Sequence, residues 1–217
     1  MNNLTLAFAK ADNSKKFWSA FEQLTIYKPE VVCDYLINWP HKKTSRQVHK
    51  NGYLIASYFA WKCGENRKVN LIKLLKSKDD YIRVVAASYL CFEDEDLGRK
   101  ELKSLLKVEG DAGVWAALNL LRRGDKSVML RALKIFDLEG RSWTQNRKIF
   151  RLTLQDRLWI LLSNSCKFSK VELPKRERYS NFDPYLYKNM LSWWEENSAK
   201  ITLHDPWLED CKSQKVD

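Results

Sequence analysis

Apolar residues recur along this chain three and four positions apart, the spacing that lines one face of an α-helix. Phe17, Ala20, Phe21 and Leu24 form the first stripe and predict a helix over residues 14–25. Pro29 suits the first turn of a second helix over 29–38, with Val32, Tyr35, Leu36 and Trp39 as its stripe and Pro40 as its stop. Val48, Leu54, Ile55, Tyr58 and Phe59 predict a helix over 45–62, ended by Gly64. Leu71, Leu74 and Leu75 predict one over 67–77, the lysines between them facing water. Ile82, Val85, Ala86, Tyr89 and Leu90 predict the next, over 79–91, capped by Asp79-Asp80. The acidic turn Glu93-Asp94-Glu95-Asp96 opens a helix over 96–107, where negative charge near an N-terminus is favourable. Gly110-Asp111 opens another to Arg123, with Val114, Ala117, Leu118 and Leu121 inward, and Gly124-Asp125 turns into one over 126–137. After Gly140 the pattern weakens: 142–150 is ambiguous, 154–162 is an apolar helix, and 163–182 is polar, basic and reads as a long loop. Asp183-Pro184 starts a last helix to about Asn197.

Superimposed on the helical period is a longer one. Ala56-Ser57-Tyr58 returns as Ala87-Ser88-Tyr89, Leu71, Leu74 and Leu75 return as Leu102, Leu105 and Leu106, and Asp80 returns as Asp111, all at an offset of 31. A period of about 30 residues is the mark of a stacked helical repeat. A unit of that length forms two helices but cannot bury its own apolar faces, so neighbours must stack. The expected fold is all-α: an α-solenoid of antiparallel helix pairs in a right-handed superhelix. As one domain over 1–217 it divides into an N-terminal helical cap (1–40), repeats (41–162), a basic loop (163–182) and a C-terminal cap helix and tail (183–210).

Composition narrows the function. Pro and Gly total only twelve of 217 residues, which favours helices over short strands and turns. The formal net charge of +11 suggests an anionic partner: an acidic protein surface, nucleic acid or a membrane surface. The competing reading is a merely solvated surface. Five dispersed cysteines without a Cys-x-x-Cys pair read as free thiols in a reducing compartment. No histidine stands near a cysteine pair, so no metal and no cofactor is expected. There is no signal-peptide pattern and no 18-residue apolar run, and the expected location is cytoplasmic with no membrane span.

Residues Asp79 to Ala86, Asp-Asp-Tyr-Ile-Arg-Val-Val-Ala, resemble the second helix of HEAT-like repeats. That pattern sets an acid in the turn, an aliphatic-Arg pair, then a small residue. The resemblance is clearest over about residues 45–137. In the family the turn Asp and helix Arg form a ladder along the stack, a pattern that Asp79 or Asp80 and Arg83 match. The next unit keeps Asp111 and Val114 but has Trp115 at the position of the Arg. The segment Trp193-Trp194-Glu195-Glu196-Asn197 with Asp205-Pro206 is similar to the end of some bacterial HEAT-like proteins.

The resemblance implies that second helices line a concave binding face. Positions off the apolar stripe are then candidate partner-binding residues: Arg83, Trp115, Asn119 and Arg122. Trp and Arg are enriched in binding hot spots, although Trp115 also suits packing between units. Basic stretches offer an alternative site for anions or nucleic acid: Lys42, Lys43, Arg46 and Lys50; Arg147, Lys148 and Arg151; Lys175, Arg176 and Arg178. Interleaved aromatics, Phe168 among them, could stack on bases.

No Gly-rich phosphate loop, Gly-x-Ser-x-Gly or His-Glu-x-x-His motif occurs. The expectation is a non-catalytic binding protein that recognises a partner protein with an acidic surface. By fold analogy, one such role is that of a bacterial toxin-neutralising immunity protein. The alternative is a nucleic-acid-binding protein, including the alkylpurine DNA glycosylases of HEAT-like architecture, whose motif this chain does not match residue by residue.

Overall fold

The structure is a computed structural model that describes residues 14–39, 55, 56, 58, 66–136, 154–174, 186–206 and 208. Among these residues every regular element is helical, with nine α-helices and no strand. The chain divides into two compact units, Met1–Val108 and Glu109–Asp217.

The first unit holds α1 (Ser14–Thr25), α2 (Pro29–Ile37), α3 (Arg67–Leu74), α4 (Asp80–Glu93) and α5 (Glu95–Leu105). Consecutive pairs α2–α3, α3–α4 and α4–α5 pack together. Their apolar stripes form the core: Leu24, Val32, Leu36, Leu71, Leu74, Ile82, Ala86, Leu90 and Leu102 have essentially no exposed surface. The helix starts are specified chemically. Asp79 caps α4, its carboxylate accepting the N–H groups of Tyr81 (2.9 Å) and Ile82 (3.3 Å). Asp94 caps α5, accepting the Leu97 N–H at 3.1 Å. Each satisfies amides that a helix leaves without partners. The buried Ser77 hydroxyl donates to the Leu36 carbonyl and accepts the Asp79 N–H, which joins the end of α2 to the start of α4.

At the α4–α5 crossing the two backbones nearly touch. A Cβ on Gly98 would lie 2.5 Å from the Cys91 nitrogen and 2.6 Å from its sulfur. Only glycine permits that approach.

The 31-residue period reappears in the helix boundaries. α3 ends at Leu74 and α5 at Leu105; α4 begins at Asp80 and the next helix at Asp111, 31 residues apart in both cases.

The second unit holds α6 (Asp111–Arg122), α7 (Met129–Leu133), α8 (Leu154–Ser169) and α9 (Leu186–Asn197). Every residue of α6 from Ala112 to Leu121 is buried. A helix apolar all round belongs at a centre, and α7 and α8 pack on it. Two sequence expectations change here. The helix over 126–137 is a short α-helix between two 3-10 turns, Lys126–Val128 and Lys134–Phe136. The loop expected over 163–182 starts only at Lys170, because α8 runs on to Ser169. Its polar last turns are accommodated because the buried Ser165 donates its hydroxyl to the Leu161 carbonyl at 2.7 Å.

A Schellman turn ends α8. The Val171 N–H reaches the Cys166 carbonyl at 2.9 Å, and Lys170 takes a left-handed φ of 56°. The segment after α9 then runs back along α8. The N–H groups of Thr202 and His204 donate to the hydroxyls of Ser169 (2.8 Å) and Ser165 (2.9 Å). Alternate residues of an extended strap thus meet serines one helical turn apart, in antiparallel sense.

Candidate interaction surfaces

The four residues predicted to bind a partner fall in both units. Trp115, Asn119 and Arg122 share one face of α6 at the expected spacing, whereas Arg83 lies on α4 of the first unit. Trp115 is only 6% exposed, and Asn119 is buried with its amide donating to the Trp115 carbonyl at 3.0 Å. Arg122 reaches out of the core but is engaged by the Asp205 carboxylate of the strap. Arg83 is half-buried and pairs with Asp80 one turn before it.

The helix starts explain why Trp115 is inside. Matching Asp80 with Asp111 aligns Trp115 with Val84, not with Arg83, and Val84 is a fully buried core position. Matching Asp79 with Asp111 instead, as the family pattern invites, slips the register by one residue. One residue is 100° of rotation on a helix, enough to exchange an outward position for an inward one. Asp79 is the cap of α4, and its counterpart at the cap of α6 is Gly110, with φ 76°.

The alternative anion-binding residues lie outside the described part of the chain. This holds for Lys42, Lys43, Arg46 and Lys50, for Arg147, Lys148 and Arg151, and for Lys175, Arg176 and Arg178.

Open surface chemistry appears in two other places. On α5 and the turn after it, Lys100, Lys103 and Lys107 stand at i, i+3 and i+7 and are all exposed. On α3, Val69 (56% exposed) and Ile72 (37%) face solvent beside Lys76. The sequence carried a signal for both in the lysines interleaved with the leucine stripes. In the second unit Phe168 is 60% exposed although its ring stacks on His204, with centroids 4.7 Å apart and planes 15° from parallel.

Electrostatics are local. The Asp94 carboxyl is held below its ordinary 3.8, first by the Lys68 ammonium 2.9 Å away and then by the Leu97 amide. Backbone and Asn66 hydrogen bonds hold Glu30 below its ordinary 4.5. Burial pushes the Cys166 thiol up to about 11, so it is protonated and unreactive at neutral pH. Cys33 and Cys91 are also buried and in no disulfide. Among the described residues no group of three potential metal ligands gathers, and no helix is long and apolar enough to cross a membrane.

No protein-family model matches the chain, and no curated protein or solved structure matches it significantly.

Proposed function

We propose that this chain is a non-catalytic binding protein, a small HEAT-like α-solenoid whose basic surface engages an acidic patch on a partner protein. The observation that carries the reading is the recurrence of helix ends and helix starts at 31 residues in a chain of net charge +11. Repeated helix pairs make extended surfaces suited to gripping a partner. A basic surface accelerates encounter with an acidic one and makes the rate sensitive to salt. Neutralising a toxin by direct contact is one role that fits a scaffold of this kind, by analogy of fold alone. Of the four candidate binding residues, Arg83 and Arg122 keep partial access to solvent, whereas Trp115 and Asn119 are buried.

The test is affinity purification from the native cell with mass spectrometry and a nucleic-acid assay of the eluate. The expected result is an acidic protein in stoichiometric amount that leaves as salt is raised. Stoichiometric nucleic acid with no protein would contradict it.

One observation favours a second reading. Phe168, exposed on the face away from His204 and flanked in sequence by the exposed Lys167 and Lys170, is a stacking platform next to cations. Base stacking on an aromatic contributes roughly 1–3 kcal/mol. Binding of a labelled single strand that falls steeply with salt and is weakened in Phe168→Ala supports this reading, and no binding at low salt removes it.

A further inference from the structure

In the first unit Arg83 is half-buried, whereas Lys76, Lys100, Lys103 and Lys107 are exposed. α3 and α5 both pack against α4, and their N-terminal ends are joined through Lys68 Nζ and Asp94 Oδ2 at 2.9 Å. The 31-residue register matches their outward positions one for one. Val69 and Ile72 on α3, with Lys76 in the turn after it, correspond to Lys100 and Lys103 on α5, with Lys107 in the turn after it. The opposite sides of the same helices, Leu71 and Leu74 with Leu102 and Leu105, are in the core. Each helix therefore turns one stripe inward and holds the other out to water.

The outward stripes hold cations and two aliphatic side chains. Among the described residues, Lys76, Lys100 and Lys107 have no ion pair. The exposed acids of α5, Glu95 and Asp96, sit in its first turn, where Glu95 is already paired with Arg99 at 2.7 Å.

We propose that the outer face of α3 and α5 docks an acidic amphipathic segment of a partner protein. Its carboxylates would meet the lysines, and its apolar side chains would cover Val69 and Ile72. This deepens the proposed function and rests on it. Charge complementarity selects an anionic occupant, and the aliphatic pair selects among anions. A phosphate backbone has nothing to offer two exposed aliphatic side chains, whereas a helix carrying both Leu and Glu covers them and removes apolar area from water.

The test titrates three labelled probes by fluorescence anisotropy: a synthetic Glu/Leu amphipathic peptide, polyglutamate of equal charge, and a random DNA duplex. The proteins are the native chain, Lys100→Glu with Lys107→Glu, Val69→Ser with Ile72→Ser, and Arg83→Ala with Arg122→Ala. All positions in the first two variants are exposed, and circular dichroism confirms that helix content is kept. The expected result is tighter binding of the Glu/Leu peptide than of polyglutamate. About a tenfold loss follows in each of the first two variants, with little change in the third; a tenfold loss corresponds to about 1.4 kcal/mol. If only the arginine variant loses affinity, this face is overturned while the acidic-partner reading stands. If the peptide binds no tighter than polyglutamate, the aliphatic pair plays no part and the proposal fails. If the duplex alone binds, both the face and the protein partner are overturned.

Discussion

α4 and α6 start 31 residues apart and have the same place in the period, yet they have different surroundings. α4 is amphipathic: Ile82, Val85, Ala86 and Leu90 go inward, while Arg83, Ser88 and Tyr89 keep partial access to water. α6 has no wet side between Ala112 and Leu121. α4 is capped by a carboxylate, whereas α6 follows a glycine in the left-handed region at φ 76°. The difference teaches that a repeat register fixes where a helix begins, and its neighbours fix which of its faces is open. Trp115 at the second helix's start is therefore packing material, and its equivalent in the earlier unit is Val84.

The largest expected effect breaks this comparison directly. Trp115→Ala leaves a cavity in a buried helix and should cost about 3–5 kcal/mol, whereas Arg83→Ala on the wetter helix should cost about 0–1 kcal/mol. Urea denaturation of both variants measures it. A Trp115→Ala protein as stable as the native one would restore Trp115 to the surface. Gly98→Ala comes next. The added methyl meets Cys91 backbone and sulfur at 2.5–2.7 Å, so α4 and α5 must separate. Overpacking of that kind costs about 1–3 kcal/mol, read as a lower midpoint in the same titration. Asp79→Ala removes the α4 cap and should cost about 1 kcal/mol. Gly110→Ala tests the contrasting start of α6 through its backbone, since alanine is strained at that φ although nothing crowds its Cβ.

The smallest effect is in pH. Asp94 titrates lower when folded than when unfolded, because Lys68 and the Leu97 amide favour its charged form. Its stabilising contribution is thus complete above the ordinary carboxylate range and is lost as pH falls through the depressed folded value. Asp94→Ala should lower the melting temperature slightly near neutral pH, with the gap to the native protein narrowing as pH falls through the depressed folded value. A gap of constant size across that range would refute the pairing.

Much of the helical content is legible in the residues themselves, for identifiable reasons. Ser14–Thr25 and the start at Pro29 follow from an apolar stripe and a proline that fits only a first turn. Asp79 and Asp94 mark their helices because a carboxylate at that place has free amides to accept. The end of α8 is not legible in this way. Ser163, Asn164 and Ser165 read as loop residues, yet Ser165 is buried in the helix, donating to the Leu161 carbonyl and accepting the His204 N–H of the strap, while Ser169 accepts that of Thr202. Nor is the burial of Trp115, since a one-residue slip against the family pattern sends it to the opposite side. The lysines of α5 are plain in the sequence. What it omits is that Lys100 and Lys107 form no ion pair among the described residues and that Val69 and Ile72 stand exposed on α3.

The outer face of α3 and α5 is the proposed binding surface, while α6 is core. Lysine-reactivity mapping tests it most directly: each lysine is acetylated under native conditions with and without the Glu/Leu peptide, and its modification is quantified by mass spectrometry. Protection is expected to concentrate at Lys76, Lys100, Lys103 and Lys107. Protection confined to Lys42, Lys43, Lys50, Lys148 and Lys175, with the α5 lysines unchanged, would contradict it.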